Sequence, residues 1–210
     1  SGIPVSPKNI FPSNIQGLPT WFEIRASEKG YLGRKAGIDF MVAMNPQSYI
    51  QDVAEINPGG YLLYDSSWKR EFHRKDINII EVPLTSLCVD EFQNPKTRLL
   101  FKNLVYVGAL SYLMSIKKDI FIELIEEQFK GKEKLIAPNV QALEMGFNYA
   151  KKHLDDACDI KVNQKNLTNG MILTNGNNAG GLGCVYGGAT VCAWYPITPS
   201  TSLAESYKKY

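Results

Sequence analysis

The chain has 210 residues, 44% of them hydrophobic and 21% charged, which is ordinary globular composition. A net charge of +2 is too small to point to a nucleic acid or an anionic membrane, and no apolar run is long enough to span a bilayer. Cys88, Cys158, Cys184 and Cys192 are widely spaced, with no CxxC and no Cys/His cluster, so the pattern suggests reduced thiols in a cytoplasmic protein and no metal motif. Residues 1–19 hold Pro4, Pro7, Pro12 and Pro19 among Asn and Gly, and read as loop. Thr20 to Ser27 alternates large apolar with polar residues and predicts a strand with one face covered. Lys29, Arg34 and Lys35 form a small basic patch around Gly33, read as solvated surface. Ile38 to Met44 is nearly continuous in apolar residues, as in a strand buried on both faces, and Asn45-Pro46 ends it. A helical pattern over 47–56, a turn at Asn57-Pro-Gly-Gly60, and short strands at 61–64 and 77–82 complete a doubly wound α/β alternation.

Three helices are expected next, over 102–116, 119–129 and 139–154. Adjacent Glu126 and Glu127 do not face each other on a helix, which argues against an acid/base pair there, and His73 and His153 are isolated among charges. Residues 161–170 are polar and read as an interdomain linker. A second unit then begins: a strand at 171–174, a Gly-rich helix over about 178–188, and a β-rich run from Thr190 to Tyr195. That run meets a stiff Pro196-Ile-Thr-Pro199 corner, after which a helix starts. Thr198 is a candidate N-cap with Pro199 at the first helical position; alternatively Ser202 caps, with Glu205 completing a capping box. By spacing alone this is a common strand-to-helix connection, and one whose hydroxyls and free N–H groups suit an anion. Cys184 and Cys192 are expected in the core of this second unit, and both chain ends read as cut.

Gly176-Asn-Asn-Ala179 followed by Tyr195-Pro-Ile-Thr-Pro-Ser200 resembles the opening of the α subunit of 2-oxoacid:ferredoxin oxidoreductases. Residues 9–65 resemble the γ domain of the same enzymes, in the loop through Ser13-Asn14-Ile15-Gln16-Gly17 and in the stretch from Ile38 to Ser67. The order γ then α is similar to the fused chain of the 2-oxoglutarate type. The resemblance implies a γ domain over 1–160 without its first strand and Gly-rich turn, a linker over 161–170, and over 171–210 the first βαβ-like unit of a thiamine-diphosphate-enzyme pyrimidine-type domain. It implies that Thr198 contacts the substrate carboxylate, and that the loop with Asn14, Gln16 and Gly17 lies in the vicinity of coenzyme A, with Lys8 able to meet a phosphate; Asn45 is added to that vicinity by its place at the carboxyl end of a sheet strand, the alternative being a turn residue that caps the next helix. No catalytic residue and no metal ligand is expected on this chain. Thiamine diphosphate with Mg²⁺ and an iron–sulfur cluster are implied for the complex, mainly on a β-subunit partner, with ferredoxin as electron acceptor. The alternative from the residues alone is a non-catalytic α/β module that packs on partner subunits or binds a nucleotide-like ligand.

Overall fold

The computed structural model describes residues 2–11 and 18–210. They form two compact units, 1–167 and 168–210. In the first unit, β1 (Val5–Ile10) and β2 (Trp21–Ala26) pair antiparallel, with Lys8 opposite Glu23. Residues 5–10 are thus a strand and not the expected loop. Pro7 is tolerated because β1 is an edge strand, where a missing N–H breaks no ladder on the open side.

A three-stranded parallel sheet of order β3 (Ile38–Ala43), β4 (Ile56–Asp65), β5 (Asn78–Val82) organises the rest of the unit. Helix α1 (Tyr49–Glu55) connects β3 to β4. The register slips between Ile38 and Phe40, so the residues around Asn57-Pro-Gly-Gly60 lie inside a long, irregular β4 and do not precede a short one. Gly59 takes a positive φ there, and Asn57 Nδ2 donates to Asp39 Oδ1 across the irregularity.

Alternation along β4 sends neighbouring side chains to opposite faces. Leu62 and Tyr64 join Met41, Ala43, Tyr49, Ile56 and Ile77 on the face covered by α1. Tyr61 and Leu63 join Ile80 and Val82 on the other face, under α2 (Leu84–Glu91), α3 (Pro95–Leu113) and α5 (Ile136–His153). Helices therefore cover both faces, as a doubly wound sheet requires. Leu62 and Leu63 are fully buried, worth about 1.5–3 kcal/mol each. Strand β3 is only half covered: Met41 and Ala43 are buried while Phe40 and Val42 are partly exposed, unlike the strand expected to be buried on both faces.

Helix α3 starts seven residues earlier than the apolar pattern suggests. Asn94 accepts from the Lys96 N–H and Pro95 occupies the first turn, where its missing N–H costs nothing. Helix α5 likewise contains Pro138 in its first turn. The crossing of α3 and α5 depends on two glycines. A Cβ on Gly108 would lie 1.9 Å from the Leu143 carbonyl oxygen, and one on Gly146 1.8 Å from that of Val105. Helix α4 (Lys118–Gln128) lies between them in sequence and presents Glu123, Glu126 and Glu127 to solvent.

The second unit is a helical hairpin of α6 (Gly176–Tyr186) and α7 (Ser200–Lys209). The strands expected at 171–174 and 190–195 are not formed: both segments are unpaired and exposed. A strand needs a neighbour for its N–H and C=O groups, and this unit supplies none. Cys184 and Cys192 are consequently exposed and not in a core, whereas Cys88 and Cys158 in the first unit are buried. Burial pushes the Cys88 thiol up to about 11, which keeps it inert. No helix among the described residues is long and apolar enough to cross a membrane.

Candidate functional site

Two regions carry the residues singled out from the sequence. The first is the carboxyl edge of the parallel sheet, where ligands bind in open α/β folds. Asn45 follows β3 in an exposed turn. Its Oδ1 accepts from the Gln47 N–H at 3.0 Å, and its backbone oxygen accepts from the Ser48 N–H at 3.1 Å. The side chain is thus a turn-former that leads into α1. Beneath the turn lies the buried carboxylate of Asp52. It accepts from Ser48 Oγ at 2.8 Å and from the Trp21 indole Nε1 at 2.7 Å, tying the start of β2 to the start of α1. Sequence reasoning passed over Asp52, because its partner Trp21 is 31 positions away. Asn14, Gln16 and Gly17 lie outside the described residues.

Asp65 ends β4 on the same edge and is 3% exposed. Its oxygens accept from the Ser67 N–H and the Thr85 N–H, each at 3.2 Å, and from Thr85 Oγ1, with Lys102 Nζ at 3.5 Å. Burial acts to raise the Asp65 pKa, but the hydrogen bonds from Thr85 and Ser67 outweigh it and hold the carboxyl below its ordinary value. Asp65 thereby satisfies the first turn of α2, whose own N-cap, Pro83, has no side-chain acceptor. This is a structural role assembled from β4, α2 and α3. Nearby Tyr64 donates to Glu81 at 2.8 Å; burial first, then this bond, push its phenol up to about 12.

The basic patch does not gather into an anion site. Arg34 pairs with Glu23 at 2.8 Å and Lys35 lies 3.5 Å from Asp39. The depression they line with Gly37, Glu55 and Asn57 is at the amino end of β3, and Lys29 is exposed. Among the described residues, no three His, Cys, Asp or Glu side chains cluster as metal ligands.

The second region is the Tyr195–Ser200 corner. Helix α7 begins at Ser200 with Pro199 as N-cap, and neither Thr198 nor Ser202 caps it through its side chain. The hydroxyls act in the other direction. Ser200 Oγ donates toward the carbonyls of Tyr195 and Ile197, at 2.8 and 2.6 Å, and Ser202 Oγ donates to that of Pro199 at 2.9 Å. The corner is held from within, and Thr198 is left exposed. At the start of α6, Asn175 accepts from the Asn178 N–H at 2.9 Å. Gly181 lets α7 approach so closely that a Cβ there would lie 2.7 Å from the Tyr207 nitrogen.

Residues 1–149 match the profile of the pyruvate ferredoxin/flavodoxin oxidoreductase family. The chain belongs to this family. Among its curated members, the α subunit of 2-oxoacid:ferredoxin oxidoreductase 2 of Aeropyrum pernix is 21% identical over 95% of this chain and 37% of its own length. The 2-oxoglutarate oxidoreductase subunit KorA of Mycobacterium tuberculosis is 24% identical over 90% of this chain and 33% of its own. The chain thus spans about a third of the length of these two relatives. Among solved structures, the 2-oxoglutarate:ferredoxin oxidoreductase from Magnetococcus marinus, with 2-oxoglutarate, coenzyme A and succinyl-CoA bound, superposes with a TM-score of 0.85. It is 28% identical and covers 99% of this chain and 36% of its own. The keto/oxoacid ferredoxin oxidoreductase γ subunit from Geobacter sulfurreducens, 18% identical, shares the fold with a TM-score of 0.55, over 70% of this chain and 80% of its own. The relatives are subunits of oxidoreductases, and the mixed α/β fold with a parallel sheet is the fold of this family.

Proposed function

We propose that this chain is part of an enzyme that decarboxylates a 2-oxoacid oxidatively, transfers the acyl group to coenzyme A and passes the electrons to ferredoxin. The substrate we favour is 2-oxoglutarate. The observation that carries this reading is the match, over nearly the whole chain, to a structure described with 2-oxoglutarate, coenzyme A and succinyl-CoA bound. In our reading residues 1–160 are a γ domain, 161–170 a linker, and 171–210 the start of an α, pyrimidine-type domain. The assembly is a cytoplasmic hetero-oligomer with a β subunit.

Each proposed residue is suited to its role by chemistry. Thr198 is an exposed hydroxyl just before a helix, where a donor suits a carboxylate. Asn45 is an exposed amide at the carboxyl end of a parallel strand, the edge at which coenzyme A would lie, and the side-chain amides of Asn14 and Gln16, with Gly17, suit the same ligand by their chemistry. Thiamine diphosphate, when bound, supplies the carbanion that makes decarboxylation feasible. In our reading magnesium and the iron–sulfur cluster belong to the β subunit.

The test is the complete chain with its partner subunit, supplied with thiamine diphosphate, coenzyme A, a viologen dye and a panel of 2-oxoacids. Reduction fastest with 2-oxoglutarate is the expected result. Preference for pyruvate or a branched 2-oxoacid would overturn the substrate assignment, and no reduction with any of them would overturn the enzyme reading.

A further inference from the structure

The two motifs of the second unit meet at one side chain. Asn177, the second residue of α6, is half-buried and directs its carboxamide Nδ2 at the segment that follows Thr198. It donates to the Pro199 carbonyl oxygen at 3.2 Å and to Ser202 Oγ at 2.5 Å. Ser202 Oγ in turn donates to the same Pro199 oxygen at 2.9 Å, which closes a small ring of hydrogen bonds. One amide group therefore fixes both the residue after Thr198 and the first turn of α7.

The frame behind Asn177 is itself fixed. Asn175 caps α6, and Gly181 brings the α6 backbone against Ser206 and Tyr207. Tyr207 Oη reaches back to the Ala189 carbonyl at 2.7 Å, and Ser206 Oγ to that of Asn178 at 3.4 Å. No hydrogen bond to the rest of the chain holds the Thr198 side chain among the described residues, so where its hydroxyl points is set by the backbone at Thr198 and Pro199. Ser200 and Ser202 tie this backbone to the start of α7, and Asn177 ties it to α6.

We infer that Asn177 is a positioning residue for the substrate carboxylate: it holds the Pro199 carbonyl and the start of α7 so that Thr198 Oγ1 stays in place to donate. This rests on the reading of Thr198 as the carboxylate donor. A ligand group displaced by about 1 Å loses much of its effect, so a residue that never touches substrate can still control affinity. An ordinary interhelical bond would contribute to stability alone.

The two roles separate in the complete enzyme with its partner subunit. Asn177→Ala should raise the KM for the 2-oxoacid about tenfold and leave the KM for coenzyme A unaltered. The calorimetric Kd for N-oxalylglycine, which presents the same carboxylate and carbonyl but cannot lose carbon dioxide, should weaken by a similar factor. Thr198→Val is measured in parallel. Because Asn177 acts through Thr198, the double variant should be no worse than Thr198→Val alone, whereas independent effects would multiply. Multiplying effects, or an Asn177→Ala enzyme with wild-type KM and Kd beside an impaired Thr198→Val, would overturn the proposal while leaving the Thr198 reading intact. An unimpaired Thr198→Val would overturn the Thr198 reading, and the Asn177 role with it. Ser202→Ala opens the same ring without touching α6 and should raise the KM about threefold, a smaller effect of the same kind. If Asn177→Ala does not assemble, an unaltered KM in Ser202→Ala overturns the proposal.

Discussion

Residues 61–65, Tyr-Leu-Leu-Tyr-Asp, and residues 191–195, Val-Cys-Ala-Trp-Tyr, have much the same β-rich apolar character and end in opposite states. The first is the centre of a parallel sheet, hydrogen-bonded to β3 on one side and β5 on the other, with helices over both faces. The second pairs with nothing in its unit and is exposed throughout, Val191 at 81% and Tyr195 at 77%. β-propensity measures how well a side chain fits a pleated, half-buried surface, so it acts only where a neighbouring strand provides that surface.

The largest expected effect lies in the central strand. Leu63→Ala removes a fully buried side chain between β5 and the helices and should lower unfolding free energy by about 3 kcal/mol, read by urea denaturation. A loss near zero would mean that β4 is not the centre of the core. At the end of the same strand, Asp65→Asn weakens the acceptor for Ser67, Thr85 and Lys102 and should cost about 2 kcal/mol at pH 7. The folded-state pKa of Asp65 is lowered, so its contribution is fully present above the ordinary carboxylate pKa of about 4 and is lost as pH falls through the folded value. The gap between wild type and variant should therefore narrow as pH falls below that ordinary value, and a gap that widened there would reverse the assigned sign.

In the second unit the sensitive position is the helix contact. Gly181→Ala should cost about 1–3 kcal/mol and speed hydrogen exchange in α6 and α7 while leaving β3–β5 protected. Loss of protection in both units at once would show that they unfold together. Smallest of all, Val191→Ser should stay within about 0.5 kcal/mol in this chain, because its side chain is already in water.

Much of the first unit was legible. The apolar runs at 38–44 and 77–82 and the periodicity of the long helices gave the sheet and its cover, because a run of apolar side chains marks a strand even where, as in β3, only one face is fully buried. Strand β1 was hidden by Pro7, which an edge strand accepts. Helix α2 was hidden because it starts directly after Pro83, and its first turn is satisfied by Asp65, which is 20 positions from Thr85. The start of α3 was signalled by Asn94-Pro95 and was passed over. In the second unit, the hydroxyls at 198 and 202 read as alternative caps. Neither caps: Thr198 is exposed, while Ser202, like Ser200, donates to a carbonyl of the corner, a choice fixed by the backbone path and by Asn177 of α6. Asp52 illustrates the same limit: a carboxylate and an indole far apart in sequence leave no local pattern.

The proposed function joins 2-oxoacid oxidation to coenzyme A. The most direct measurement follows succinyl-CoA by mass spectrometry while the complete enzyme reduces viologen with 2-oxoglutarate. One succinyl-CoA should form for each electron pair transferred, with no sustained reduction when coenzyme A is left out. Reduction that consumes no coenzyme A would contradict the proposed function.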